Sequence, residues 1–310
     1  MNNKNEFSNY TWACRSAVQK AVRRSMPVLY EQCFRELWET DPQFLLRRTL
    51  IFAAEECWPL IADTFDLVQE ARGYIRKGAG PKARRQGRLY LQAAGRRLVM
   101  ATKAKDAAAL ASLAYGEYGK FVLKDPIMMK QFKAMVTFHK TCEKGGSSKK
   151  KIWAILHKKA EVSGSEYAVR MVKACGYGYA MGGMVNEPHK FLAAAIMVLS
   201  EYLEMPEVVL DTSLSFKIEK KEKIPLFAYD QHTRVGKSAL YRAARDLETT
   251  YARLSFLQFN KVSAVITPER EGEKWWPLRC ELVDKTIKKE KWEAMEKVIN
   301  KQIIKGLKEE

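Results

Sequence analysis

The 310-residue sequence has no stretch long and apolar enough to cross a membrane. Its longest apolar runs, such as FLLRRTLIFAAEECWPLIA from Phe44, are interrupted by Arg47, Arg48, Glu55 and Glu56. They fall short of the roughly 18–20 apolar residues that a span requires. The N-terminal MNNKNEFSNY contains no apolar core of the signal-peptide kind, so the expectation is a cytoplasmic protein without a membrane partner. No C-x-x-C pair occurs among Cys14, Cys33, Cys57, Cys142, Cys175 and Cys280, which read as reduced thiols packed into helices. The four histidines, His139, His157, His189 and His232, form no H-x-x-x-H and no zinc-spaced cluster with cysteine. Neither a metal nor another cofactor is therefore expected. The G-x-S-x-G nucleophile turn is absent. A phosphate loop is missing too: TRVGKSA supplies Gly236, Lys237 and Ser238, but Gln231 stands where the motif needs its first glycine. Nucleotide hydrolysis is excluded on that ground.

Acidic residues are scarce, and in places absent. Lys and Arg total 54 against 36 Asp and Glu, a formal charge of +18 and a pI near 9.5. Such an excess points to a polyanion. RKGAGPKARRQGR carries Arg76, Lys77, Lys82, Arg84, Arg85 and Arg88 with no acid, and Arg96, Arg97, Lys103 and Lys105 follow it. KGGSSKKK carries Lys144, Lys149, Lys150 and Lys151, with Lys158 and Lys159 beyond. Either run alone could be a solvated helix face. Two acid-free runs in one chain, neither bordering a helix with a bulky membrane-seeking face, favour nucleic acid over anionic lipid.

What is present is helical periodicity. In YTWACRSAVQKAVRRSM the apolar positions Trp12, Ala13, Ala17, Val18, Ala21 and Val22 recur at helical spacing. Pro27 and Pro42 mark the starts of the next two helices. Further helices are predicted at about 60–76, 82–103, 105–119, 126–143, 149–161, 164–175, 188–204, 237–258 and 285–308. Only VVLDTSLSFKI (208–218) and KVSAVIT (261–267) resemble strands, and both read equally as loops. The fold class is thus all-α or nearly so, a multi-helix bundle. Breaks near residues 80 and 146 suggest an N-terminal helical half, 8–143, and a C-terminal half, 149–310, either separate or sharing one core.

Over about residues 10–65 the sequence resembles the helical C-terminal region of the replication-associated recombination ATPases of the clamp-loader group. The resemblance rests on Ser16, Ala17, Lys20 and Arg23, followed by Asp41, Pro42, Phe44, Arg47, Arg48, Ile51, Ala53, Glu55 and Glu56. It implies an oligomerisation collar, here without its ATP-binding core. In size and basic helical character the chain is also similar to phage-associated and anti-phage DNA glycosylases. Those remove modified pyrimidines such as 5-hydroxymethyluracil or glucosylated hydroxymethylcytosine. No catalytic motif aligns residue by residue, and no L-P-G-V-G hairpin is present.

A glycosylase must flip out a base and stabilise a cationic sugar, for which a carboxylate and a water-orienting group suffice. AYDQHTRVGK (228–237) offers Asp230 and His232 as the catalytic pair, beside Tyr229. Arg234, Gly236 and Lys237 would hold the DNA backbone. The same stretch also reads as a helix start in which Asp230 or Thr233 is merely the cap. CGYGYAMGGMVNEPHKF (175–191) offers Tyr177, Tyr179, Asn186 and His189 to a base pocket; its other reading is a glycine-rich turn with core tyrosines. Trp275 and Trp276, read on a loop before Pro277, cannot both face one core direction; they read either as a wedge or stacking platform with one ring exposed or as a lid over the core. The leading expectation is a DNA glycosylase acting on duplex DNA that carries a modified pyrimidine. The alternative is a non-enzymatic DNA-binding or oligomerisation module partnered by a replication ATPase.

Overall fold

The computed structural model describes residues 8–75, 79–115, 123–143, 146–181, 187–255, 258, 274–286 and 289–309. The fold is all-α. Thirteen helices can be bounded among the described residues: α1 (Asn9–Arg23), α2 (Pro27–Thr40), α3 (Pro42–Glu56), α4 (Ile61–Tyr74), α5 (Pro81–Met100), α6 (Asp106–Tyr115), α7 (Pro126–Glu143), α8 (Gly146–Ser163), α9 (Glu166–Met181), α10 (Glu187–Ser200), α11 (Arg234–Asp246), α12 (Trp275–Thr286) and α13 (Lys289–Glu309). No strand forms among these residues. The candidate at 208–218 contributes only the isolated bridge between Ala101 and Leu210, and 261–267 lies outside the described residues.

Proline starts four of these helices, at Pro27, Pro42, Pro81 and Pro126. Its missing N–H costs nothing in a first turn, where no intrahelical acceptor exists. Asp41 serves α3 as the sequence suggests, its Oδ1 accepting from the Phe44 amide at 3.1 Å. The end of α5 is set differently. After Ala101 the chain turns back, and the buried Lys103 ammonium donates to the carbonyls of Leu98, Val99 and Ala101 at 2.7, 3.1 and 2.8 Å. A lysine thereby satisfies the carbonyls that a helix end leaves without partners. Burial lowers its pKa to about 8.

The chain forms two compact units, and neither is the expected 8–143 or 149–310 half. One unit takes Met1–Leu45, Ser213–Thr267 and Cys280–Glu310; the other takes Leu46–Thr212 and Pro268–Arg279. The halves fail because the C-terminal helix returns to close the core of the first unit. There α1 packs on α2, and α11 packs on α13 around Val235, Leu240, Leu254, Ile299 and Ile303. In the second unit α10 is central, with α6, α7, α8 and α9 against it and Phe191 to Val198 wholly buried.

Three local expectations are corrected. The glycine-rich stretch is no turn at its start: α9 runs to Met181 through Gly176 and Gly178. Gly178 is where α9 meets α10, since a Cβ there would lie 2.4 Å from the Phe191 ring. The helix expected over 237–258 begins at Arg234 and stops at Asp246, with Glu248 just beyond in the left-handed region at φ 50°. The tryptophan pair does not sit on a loop. Trp275 and Trp276 begin α12, and both are buried, at 1% and 4% exposure.

Candidate functional site

The turn before α11 is built by short-range bonds. The Thr233 amide and hydroxyl both donate to the Asp230 carbonyl at 3.0 Å, and the Gly236 amide donates to the Thr233 hydroxyl at 3.0 Å. Thr233, not Asp230, is therefore the helix cap. Gly236 is buried against this turn. A Cβ there would lie 2.1 Å from the Asp230 carbonyl oxygen and 2.4 Å from that of Tyr229. Its lack of a side chain is used by the protein's own backbone rather than by a phosphate. Tyr229 is half-buried and packs on the core shared by α11 and α13.

The Asp230 carboxylate points inward, with only 6% of its side chain exposed. Oδ2 accepts from the Lys20 ammonium at 2.6 Å, and Lys20 also donates to the Ser16 hydroxyl at 2.5 Å. Oδ1 accepts from the His232 amide at 2.9 Å and lies 3.1 Å from His232 Nδ1. Burial alone would raise the Asp230 carboxyl. The charge of Lys20 and the bonds from His232 and Lys20 outweigh it and hold the group well below the usual carboxylate range. Burial lowers the Lys20 ammonium, and Asp230 restores part of that loss. The pair is a buried, charged, mutually dependent contact.

His232 faces the other way, with 51% of its side chain exposed. An ionised carboxylate can only accept, so the contact with Asp230 makes Nδ1 the donor. The neutral imidazole then carries its lone pair on Nε2. A carboxylate that fixes a histidine tautomer while staying ionised is the arrangement by which a histidine becomes a general base. Arg234 and Lys237, on the first turn of α11, are exposed.

The remaining candidates belong to the other unit. Tyr177 is half-buried, with its hydroxyl bonded to Arg72 and its ring 5.1 Å from that of Phe65. Tyr179 and His189 are buried, with ring centres 6.3 Å apart; Trp153 lies 5.4 Å from Tyr179, and His139 lies 4.7 Å from His189. Burial, then the charges of His139 and Lys149, push the His189 pKa down to about 4, so this ring is neutral. Asn186 lies outside the described residues. Trp275 and Trp276 form a separate group. Asp106 accepts from the amides of Lys274, Trp275 and Trp276 at 2.8, 2.8 and 2.7 Å, which caps α12 from across the sequence. Trp275 Nε1 donates to Gln131 at 2.8 Å, and the Lys105 ammonium sits 4.5 Å from the centre of the Trp276 ring. The structure gives the two tryptophans a core environment rather than the exposed one expected of a wedge.

Of the basic residues, Lys82, Arg84 and Arg85 are exposed on the first turns of α5, and Arg88 is half-buried on the next. Lys149, Lys150, Lys151, Lys158 and Lys159 are exposed on α8. Arg76 and Lys77 lie outside the described residues. Among the described residues, no three His, Cys, Asp or Glu side chains are grouped to hold a metal, and no helix is long and apolar enough to cross a membrane.

Two residues were missed from sequence alone, Lys20 and Asp106. Lys20 had a signal: it lies on the buried face of α1 among Ala13, Ala17 and Ala21, and a cation there requires a counter-charge. Asp106 had none, because the amides it caps are 168 to 170 residues away. No known protein family, curated protein or solved structure matches this chain.

Proposed function

We propose that this chain binds double-stranded DNA through the basic faces of α5 and α8. The observation that carries the reading is the exposure of Lys82, Arg84, Arg85, Lys149, Lys150, Lys151, Lys158 and Lys159, none of which makes an ion pair among the described residues. Several other cations are matched: Arg170 bridges Asp63 and Asp66, Arg97 reaches Asp63, and Lys274 reaches Glu201. Unmatched cations on α5, which contains no acid, and on α8, whose one acid is Glu161, suit a phosphate lattice.

The chemistry that suits such a binder best is hydrolytic excision of a modified pyrimidine such as 5-hydroxymethyluracil. His232, held by Asp230, would take a proton on Nε2 from the water that attacks C1′ of the sugar, while the N-glycosidic electron pair leaves with the base. This gives the two residues distinct roles: the histidine meets the water, and the enclosed carboxylate positions it. The second reading is a non-enzymatic, collar-like DNA-binding module acting with a replication ATPase. It is favoured by the closure of Asp230 onto Lys20 and by the burial of both tryptophans.

One experiment tests both readings. Purified protein is titrated with fluorescent duplexes containing thymine, uracil, 5-hydroxymethyluracil or hydroxymethylcytosine, across a salt series, and the products are then heated in alkali. Binding should weaken by about 0.9 in log–log slope for each phosphate neutralised. Salt-independent binding, or none, refutes the DNA reading. Alkali-labile sites in a modified duplex support excision, and intact strands beside tight binding support the collar.

A further inference from the structure

The α5 and α8 faces belong to one unit; α11 belongs to the other and presents a basic face of its own. Helix α11 is buried along Val235, Ala239, Leu240, Ala243 and Ala244. Its opposite side carries Arg234, Lys237, Ser238, Tyr241 and Arg245, all exposed. At 3.6 residues per turn these five fall within an arc of about 100°, and from Arg234 to Arg245 they extend about 16 Å along the axis. None of the three cations makes an ion pair or hydrogen bond among the described residues, and no acid interrupts the stripe. Asp246, at the far end, accepts a hydrogen bond from Gln302 of α13.

Tyr241 is the residue that a merely solvated face does not explain. It is 64% exposed at the middle of the stripe, its ring 5.9 Å from that of the half-buried Tyr251. Cations at both ends of a helix face, with a hydroxyl and an aromatic phenol between them, divide into two kinds of contact. The ends suit phosphates on either side of a groove, and the centre suits base edges. The major groove of B-DNA is about 12 Å wide and admits one helix. A rigid helix with a 16 Å reading face, packed on α13 from behind, fits it.

We infer that α11 is a second DNA-contacting element that enters the major groove, with Arg234, Lys237 and Arg245 on phosphates and Ser238 and Tyr241 on bases. The inference rests on the DNA-binding reading above. Its test compares wild-type protein, the triple variant Arg234→Ala, Lys237→Ala and Arg245→Ala, and Tyr241→Ala, by anisotropy on a fluorescent duplex over a salt series. Losing three phosphate contacts should reduce the log–log slope by about 2.7. Tyr241→Ala should weaken binding about tenfold with the slope unchanged, as loss of a base contact does. A triple variant with wild-type slope and affinity overturns the inference while leaving the α5 and α8 reading intact. Wild-type protein that fails to bind at all overturns both. A photo-crosslinking amino acid at position 241, with position 304 on α13 as the exposed control, provides an independent measurement. Crosslinks to DNA are expected at 241 only, and binding without a crosslink there overturns the inference.

Discussion

Replacing Asp230 with asparagine separates a structural carboxylate from one kept only for chemistry. The change preserves side-chain size and an acceptor for the His232 amide, but it removes the charge 2.6 Å from Lys20. The ammonium, with 5% of its side chain exposed, then retains only the neutral Ser16 hydroxyl. Breaking a buried ion pair from one side costs about 3–5 kcal/mol, because the remaining charge cannot return to water. For a domain stabilised by about 5–15 kcal/mol that is a large fraction. At about 2–4 °C per kcal/mol, the unit containing α1 and α11 should melt roughly 10 °C lower. Combining Lys20→Met with Asp230→Asn removes both charges and should recover most of the loss.

The assay is a set of thermal melts of the wild type, both single variants and the double variant. Its pH dependence has a fixed sign. The folded carboxyl titrates below the value of about 3.9 that it has unfolded, so its contribution is complete above that pH and disappears as acid protonates it. Wild type and Asp230→Asn should therefore differ fully at pH 7 and converge below about pH 4. Equal or higher stability of Asp230→Asn at pH 7 would refute the reasoning. It would mean that the fold holds this carboxylate at a cost, as an active site does.

Further predictions concern the other buried polar devices. Gly236→Ala places a Cβ against two backbone oxygens that have no freedom to swing aside, so it should cost about 3 kcal/mol or more in chemical denaturation. A wild-type midpoint would show that the first turn of α11 relaxes. Asp106→Ala strips three amides of their acceptor and should cost about 2–4 kcal/mol, read by tryptophan fluorescence, with Asp106→Asn recovering part of it. Lys103 titrates at about 8 when folded, below its unfolded value, so between these two pH values the unfolded chain binds the extra proton. Wild-type stability relative to Lys103→Met should therefore rise by about 3 kcal/mol from pH 8 to 10.5, and a flat difference would contradict the burial of its charge.

Much of the fold is legible wherever the information is local. Pro126 opens α7 and the following apolar spacing carries it to Glu143, as the sequence suggests. Sequence reading fails where the deciding contact is distant. Trp275-Trp276-Pro277 reads as a loop because no capping residue precedes it, yet Asp106 supplies the cap and Pro277 falls in the first turn, where its missing N–H is not needed. Glycines 176 and 178 read as a turn, yet Gly178 remains helical because Phe191 of α10 packs directly over it. The division into units is hidden for a related reason. Nothing local in α13 indicates that its apolar side, with Ile299 and Ile303, completes a core begun by α11.

At the candidate site the types of residue were legible and their orientations were not. The turn before α11 carries an acid, a histidine and a capping threonine in sequence; only the structure turns Asp230 inward onto Lys20 and His232 outward. That inversion determines where chemistry can occur. A carboxylate enclosed by lysine and imidazole has no path to a sugar, so any reaction at this turn must pass through the half-exposed histidine. His232→Ala then becomes the complement of Asp230→Asn. The half-exposed ring gives up one hydrogen bond to the buried Asp230 carboxylate, so stability should fall by about 1–2 kcal/mol, less than for Asp230→Asn. On the excision reading proposed above, base release should fall by about 10²–10⁴-fold, the usual worth of a general base. An equally large loss of stability would place His232 with Lys20 in the packing of the turn. Unchanged release would move the chemistry elsewhere in the chain.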